Sequence, residues 1–115
     1  MIKGLHAMFF TPQAEELRAF MRDQLQLPFT DTGDGWFIFD LKEVEIGCHP
    51  ADQSFQGMSF YCDDLAATVA QLKQRGVEFT SDVREAEWGW VTTFRIPGNF
   101  EVELYQAKYE KKPIT

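Results

Sequence analysis

The sequence predicts one α+β domain in which two βαβββ modules pair, with two helices covering one face of a curved mixed sheet. The order strand, helix, strands occurs twice, at about residues 1–50 and 56–107. A shift of fifty residues places Phe29 on Phe79 and aligns the ends of the two helical segments. Apolar and polar residues alternate in the strand segments, as they do in half-buried strands. Because neither short module can bury both its helix and its sheet alone, we expect the two to pair.

The first module begins with a predicted strand over about 5–10. The segment 11–28 predicts a helix, for which Thr11 is a suitable cap. Strands are predicted at 36–41 and 43–49, after the turn-forming letters TDTGDG. The core-facing stripe of the helix consists of Leu17, Phe20, Met21 and Leu25.

The second module begins with a predicted strand over 57–63. A helix is predicted over 64–76, with Asp64 as its N-cap and Gly76 as its C-cap. Further strands are predicted at 77–83, 88–96 and 100–106. The letters PGN between the last two predict a hairpin turn. The charged tail, 108–115, is expected to fray.

Composition and charge narrow the class of protein. The chain has 115 residues, 44% of them apolar, which is enough for the core of one domain. Its formal net charge of −7 argues against nonspecific nucleic-acid binding, which needs a basic surface, and is compatible with a cationic ligand. No apolar run approaches the roughly 18 residues of a membrane span, and the N-terminus lacks the apolar core of a signal peptide. A cytoplasmic protein is the default expectation.

The two cysteines, Cys48 and Cys62, are too few for a disulfide scaffold. Both fall on the predicted apolar face of their strands. We therefore expect unbridged, buried thiols rather than a redox pair.

One face of the predicted strands is apolar, whereas the other mixes carboxylates, histidines, tyrosines and small residues. A plain solvent face would carry lysine, threonine and glutamine, so this mixture predicts the lining of a ligand cleft. The candidates for contact with a ligand are Phe10, Ser59, Tyr61 and Tyr105, for which ordinary packing is an equal alternative. Trp88 and Trp90 could line a cleft or a dimer interface, and their faces stay open because Gly89 between them could carry a bulge.

Three segments, GLHAMFF, QGMSFYCDDLAATVAQLKQRGVEF and RIPGNFEVELYQ, together with the βαβββ repeat, resemble the vicinal oxygen chelate superfamily. That group includes glyoxalase I, bleomycin-resistance proteins and extradiol dioxygenases, and the resemblance covers nearly the whole chain. It implies a U-shaped eight-stranded sheet whose concave side holds a divalent metal. It also implies a homodimer, which would cover the edge strands of an open sheet.

The resemblance assigns metal-ligand positions to His6, Glu45 and Glu103, and the remaining ligand position falls on Gly57. Each of the three is, taken singly, more often a solvated or hydrogen-bonded residue than a ligand. Together they would suit Zn, Ni, Co, Fe or Mn, and Glu45 or Glu103 would shuttle a proton. His49 falls on the same face of the predicted strand as Glu45 and is either a replacement ligand or a residue of the cleft rim.

Three functions are compatible with this pattern. The leading hypothesis is a metal-dependent enzyme of glyoxalase-like type, a lyase, isomerase or dioxygenase acting on a small molecule. The alternative is a protein of bleomycin-resistance type that sequesters its ligand without catalysis, which the glycine at position 57 would fit. The third is a regulatory or assembly module that keeps only the fold.

Overall fold

The structure, a computed structural model, describes residue 1 and residues 6–48 and 50–110. The chain divides into two units, Met1–Gln56 and Gly57–Thr115. The described residues form an α+β protein with one helix in each unit, a two-stranded sheet in the first and a four-stranded sheet in the second. Neither of these helices is long and apolar enough to cross a membrane.

The first unit contains helix α1 (Ala14–Asp23) and the hairpin of strands β1 (Phe29–Asp31) and β2 (Phe37–Phe39). The helix ends well before Pro28, because Gln26 adopts a positive φ of 54° and the chain folds back there. The N–H groups of Leu25 and Leu27 then bond to the last turn of the helix. Of the predicted stripe, Leu17, Phe20 and Met21 are buried and Leu25 is half-buried.

Cationic side chains attach the hairpin to α1. The guanidinium of Arg18 lies 5.0 Å from the ring centre of Trp36 and donates to the carbonyl oxygen of Gly35. Arg22 lies 5.5 Å above the ring of Phe37. The sequence prediction missed β1, since its residues sit at the edge of the turn-forming TDTGDG segment.

Two predicted strands of the first unit are not seen. Residues 6–10 and 43–48 have no strand pairing in the described part of the chain, and Leu5 and His49 lie outside it. Ile46, predicted to face the core, is 77% exposed. Alternation produces a strand only where a neighbouring backbone completes the hydrogen bonds. The described residues therefore form six strands, and the U-shaped eight-stranded sheet is not confirmed.

The second unit contains β3 (Ser59–Tyr61), α2 (Leu65–Gln74), β4 (Arg84–Ala86), β5 (Gly89–Ile96) and β6 (Phe100–Ala107). The sheet order is β3-β6-β5-β4, with β3 parallel to β6 and the other neighbours antiparallel. The PGN turn joins β5 to β6 as predicted, with Gly98 and Asn99 at φ values of 95° and 62°.

Helix α2 follows its predicted caps. The carboxylate of Asp64 accepts a hydrogen bond from the N–H of Ala67 at 3.1 Å, and Gly76 has the positive φ of a C-cap. The N–H of Leu65 donates to the side-chain oxygen of Gln106 on β6 at 2.8 Å. This last bond joins the first turn of the helix to the sheet.

The core of the second unit lies on this helix-facing side. The ring of Phe94 is packed between the rings of Phe60 and Phe79, with centroids 6.2 and 5.6 Å away. The buried apolar side chains on this side and in α2 are Leu65, Leu72, Val77, Phe94, Ile96, Val102 and Leu104, whereas Val91 and Tyr105 are buried on the opposite face of the sheet.

A bulge interrupts the sheet edge between the predicted strand 77–83 and β4. The backbone of 78–80 pairs with β5, as the Phe79–Phe94 bridge shows. Two extra residues then intervene before Arg84 pairs with Val91. Because the insertion is two residues long, the alternation of side chains between the two faces of the sheet continues unchanged across it.

The two cysteines are unbridged, as predicted. Cys62 is half-buried, and burial raises the pKa of its thiol, which makes it a weak nucleophile at neutral pH. Cys48 is exposed, so its predicted burial is wrong, because the strand that would have turned it inward is not present in residues 43–48.

Candidate functional site

The sheet of the second unit has one face packed under α2 and one face with a mixed polar and aromatic surface. Strand register assigns the side chains to each face: Glu103 pairs with Ser59 on one side and with Thr93 on the other. We name the face opposite α2 the polar face. Along its strands it carries Ser59, Tyr61, Arg84, Val91, Thr93, Arg95, Glu101, Glu103 and Tyr105.

Glu103 lies at the centre of the polar face and is held on both carboxylate oxygens. The hydroxyl of Ser59 donates to Oε1 at 3.0 Å, and Nη2 of Arg84 lies 3.6 Å from Oε2. Arg84 belongs to β4 and reaches across β5 to make this ion pair. The Glu103 side chain is 41% exposed. The carboxylate is therefore neither simply solvated nor buried, but oriented at the surface by two partners.

Aromatic side chains form one end of the polar face. The buried ring of Tyr105 contacts the ring of Tyr61 at 5.9 Å and meets Trp88 edge-on at 5.3 Å. Its hydroxyl lies 3.2 Å from that of Tyr109. Trp88 and Tyr109 remain nearly half exposed. Tyr105 thus serves as the floor of the aromatic end, and the accessible ring surface belongs to Trp88 and Tyr109.

The opposite end of the polar face is a closed network of charges. Arg95 lies 3.4 Å from the carboxylate of Glu78 and 3.2 Å from that of Glu101. It also donates to the side-chain oxygen of Asn99 at 3.2 Å. The positive charge of Arg95 is therefore already matched within the protein.

The EWGW segment forms the tip of the β4–β5 hairpin. Gly89 pairs with Ala107 without a bulge, at a point where the backbones of β5 and β6 approach closely. Trp90 belongs to the opposite face and lies 4.9 Å from the ammonium of Lys108. Of the two tryptophans, Trp88 is therefore the one that contacts the aromatic end of the polar face.

The predicted site residues fall into two groups. Ser59, Tyr61, Glu103 and Tyr105 lie together on the polar face. The other three belong to the first unit, where His6, Phe10 and Glu45 are exposed.

The present contacts of Glu103 do not fit a divalent ion. Both of its oxygens face protein partners, and Gly57 brings no side chain to the remaining predicted ligand position. Among residues 1, 6–48 and 50–110, no three histidine, cysteine, aspartate or glutamate side chains form a group that could hold a metal. The ligand set His6, Glu45 and Glu103 stays a prediction.

Arg84 and Trp88 are the site residues that sequence reasoning missed or left unassigned. Arg84 and Ala86 continue the alternation of the preceding strand segment. The bulge between the two segments carries no clear signal in the sequence, so the prediction ended the strand before Arg84. The role of Trp88 depends on a ring contact with a residue seventeen positions away, for which the local sequence carries no signal.

No family model matches the sequence, and no curated protein matches it significantly. Solved structures do match. TnmS3, an antibiotic binding protein from Streptomyces sp. CB03234, is similar at a TM-score of 0.66 and 20% identity, over 94% of this chain and 100% of that one.

Two further solved structures have other described activities. The fosfomycin resistance protein FosX from Mesorhizobium loti matches at a TM-score of 0.60 and 19% identity, over 94% of this chain and 95% of that one. A glyoxalase/bleomycin resistance protein/dioxygenase from Nocardioides matches at a TM-score of 0.59 and 17% identity, over 91% of this chain and 83% of that one. These proteins are members of one superfamily, and TM-scores of 0.59 to 0.66 show that this chain shares their fold. The chain therefore has the fold of the vicinal oxygen chelate superfamily, as its sequence resemblance predicts.

Proposed function

We propose that this protein binds a small molecule with an aromatic part on the polar face of its second unit and sequesters it without catalysis. The observation that carries the proposal is the Glu103 carboxylate, oriented by Ser59 and Arg84 on the same sheet face as Tyr105, whose ring contacts the exposed ring of Trp88. Ligand sites commonly combine aromatic walls with a few placed polar groups. Similarity to an antibiotic binding protein over nearly the whole chain supports the same function.

In this proposal, the aromatic end and the centre of the polar face have different parts in recognition. Trp88 and Tyr109 supply rigid ring surface, on which a flat ligand stacks at little cost in side-chain entropy. Ser59 and Glu103 supply a hydroxyl and a carboxylate, which set the orientation of polar groups on the ligand. Phe10, whose ring is exposed in the first unit, remains a prediction from the sequence.

We expect 2-naphthamide and 2-naphthoate, as simple aromatic probes, to bind saturably with one site per chain, and EDTA to leave both affinities unchanged. Trp88→Ala should weaken the binding of both probes about 3- to 10-fold, since aromatic contacts contribute about 0.5–1.5 kcal/mol beyond area burial. Isothermal titration calorimetry measures both effects. The matched control is Trp90→Ala, checked for folding by circular dichroism, which should change neither affinity because Trp90 lies on the opposite face. Absence of saturable binding, or its loss on chelation, would refute the proposal.

The metal-dependent enzyme is the second candidate, supported by the similarity to FosX and to the glyoxalase/dioxygenase protein. It requires His6, Glu45 and Glu103 to act as ligands, which the present contacts of Glu103 do not favour. We expect elemental analysis of tag-free protein, after incubation with divalent ions and desalting, to find well under one ion per chain. About one ion per chain, lost in Glu103→Gln, would instead establish the metal site.

We also retain the homodimer as a proposal. The first unit exposes many large apolar side chains, a composition that favours burial against a partner. Apart from the terminal Met1, those most exposed are Met8, Phe10, Trp36, Leu41, Val44, Ile46 and Phe55.

A further inference from the structure

We infer that Arg84 recognises a carboxylate-type oxyanion attached to the aromatic part of the ligand. The inference rests on the proposed function and names the chemical class of its ligand. It differs from the expectation, based on net charge, of a cationic ligand. Arg84 differs from other arginines of the chain in its contacts with protein acceptors.

Arg18, Arg22 and Arg95 are already engaged by protein acceptors. Arg95 has two carboxylates and an amide oxygen around it, and Arg22 makes a two-point contact with Asp23. Arg18 donates to two backbone carbonyl oxygens. These guanidinium groups act within the fold.

Arg84 is different. Within the described part of the chain its ionic contact is with Glu103, at 3.6 Å, which is longer than a hydrogen bond. Its side chain is 63% exposed, whereas that of Arg95 is 39% exposed. A guanidinium has five N–H donors in a planar fork that matches a carboxylate. Glu103 therefore faces one edge of the fork, and most of the Arg84 side chain stays exposed to solvent.

The position of Arg84 connects this cation to the aromatic end of the site. Arg84 and Trp88 belong to the same hairpin, four residues apart, so their backbones are separated by at most about 13 Å. Arg84, Val91 and Tyr105 are register partners on three neighbouring strands, and Trp88 contacts the ring of Tyr105. A two-ring molecule stacked on Trp88 would place a head group within reach of the long arginine side chain.

Charge on the rest of the protein does not prevent this contact. The net charge of −7 repels anions at long range, but salt screens exposed charges beyond about 8 Å at physiological ionic strength. At the site itself, Arg84 neutralises Glu103, and the hydroxyl of Ser59 donates to the same carboxylate. The negative charge of Glu103 is therefore matched by hydrogen-bond donors at the site and does not stand alone.

Three probes that share one ring system test the inference: 2-naphthoate, its neutral analogue 2-naphthamide and the cation 2-naphthylmethylammonium. We expect wild-type protein to bind the naphthoate most tightly. Arg84→Gln should weaken naphthoate binding about 10- to 100-fold, as expected for loss of a charge-assisted hydrogen bond, and naphthamide binding by less than about 3-fold. Arg84→Lys should restore part of the loss, since it keeps the charge without the fork.

The matched control is Arg95→Gln, on the same face but within the closed charge network, which should change naphthoate affinity by less than about 2-fold. Equal binding of naphthoate and naphthamide by wild-type protein, or equal losses for the two in Arg84→Gln, would overturn the inference and leave the proposed function standing. If none of the three probes binds wild-type protein, the proposed function fails and the inference fails with it.

Discussion

Replacing Phe94 by alanine is expected to lower the free energy of unfolding by about 3–5 kcal/mol, the range for removing a large aromatic side chain from a core. Phe94 is 1% exposed and lies between the rings of Phe60 and Phe79. Alanine would leave a cavity that β5 cannot close, because its backbone is paired to β6 along its whole length. Urea denaturation followed by circular dichroism measures the loss.

Phe29→Ala is the matched control for this substitution. Phe29 is 43% exposed, so we expect its removal to cost well under half as much. Phe94→Leu should recover most of the stability, since it refills part of the volume. A loss below about 1 kcal/mol for Phe94→Ala would mean that the second unit is not organised around this ring.

Gly89→Ala is expected to destabilise the second unit by about 1–3 kcal/mol and to weaken binding of the naphthyl probes. A Cβ on Gly89 would overlap the carbonyl oxygen of Gln106 and would lie 3.3 Å from the Cα of Ala107. These are backbone atoms, which cannot turn aside as a flexible side chain can. The two strands would have to separate at the hairpin tip that carries Trp88. Thermal unfolding and probe titration measure the two effects.

Gly57→Ala provides the control for the glycine change. An added Cβ at Gly57 would meet nothing within 4 Å, so we expect a change in stability within about 0.5 kcal/mol. If Gly89→Ala were as stable as Gly57→Ala, the close approach of β5 and β6 would be contradicted. Loss of stability with unchanged probe affinity would show that Trp88 keeps its place without the tight strand pairing.

The helix and the last hairpin of the second unit could be predicted from the sequence because their capping and turn residues act locally. Asp64 and Gly76 mark the ends of α2, and the PGN letters mark the last hairpin. Each depends on the chemistry of a few consecutive residues. Alternation along 100–106 likewise separated the buried Val102 and Leu104 from Glu103, because the period of a strand is a property of the chain itself.

The first unit shows where local signals stop. Residues 43–48 alternate as clearly as 100–106, yet they form no strand in the described part of the chain. A strand needs a partner whose position the segment does not encode. Conversely, β1 forms from residues with a turn-like sequence because β2 lies opposite to pair with it.

The candidate site also has features that the local sequence predicts and features that it does not. Sequence alone was sufficient to place Ser59, Tyr61, Glu103 and Tyr105 on one face, since alternation sets which way successive side chains point. It could not show that Arg84 meets Glu103, because that contact crosses a third strand in a register shifted by the bulge. Nor could it bring Trp88 to Tyr105. Which polar and aromatic groups meet on the face was decided by the tertiary structure, because strand order and register depend on contacts between residues far apart in the chain.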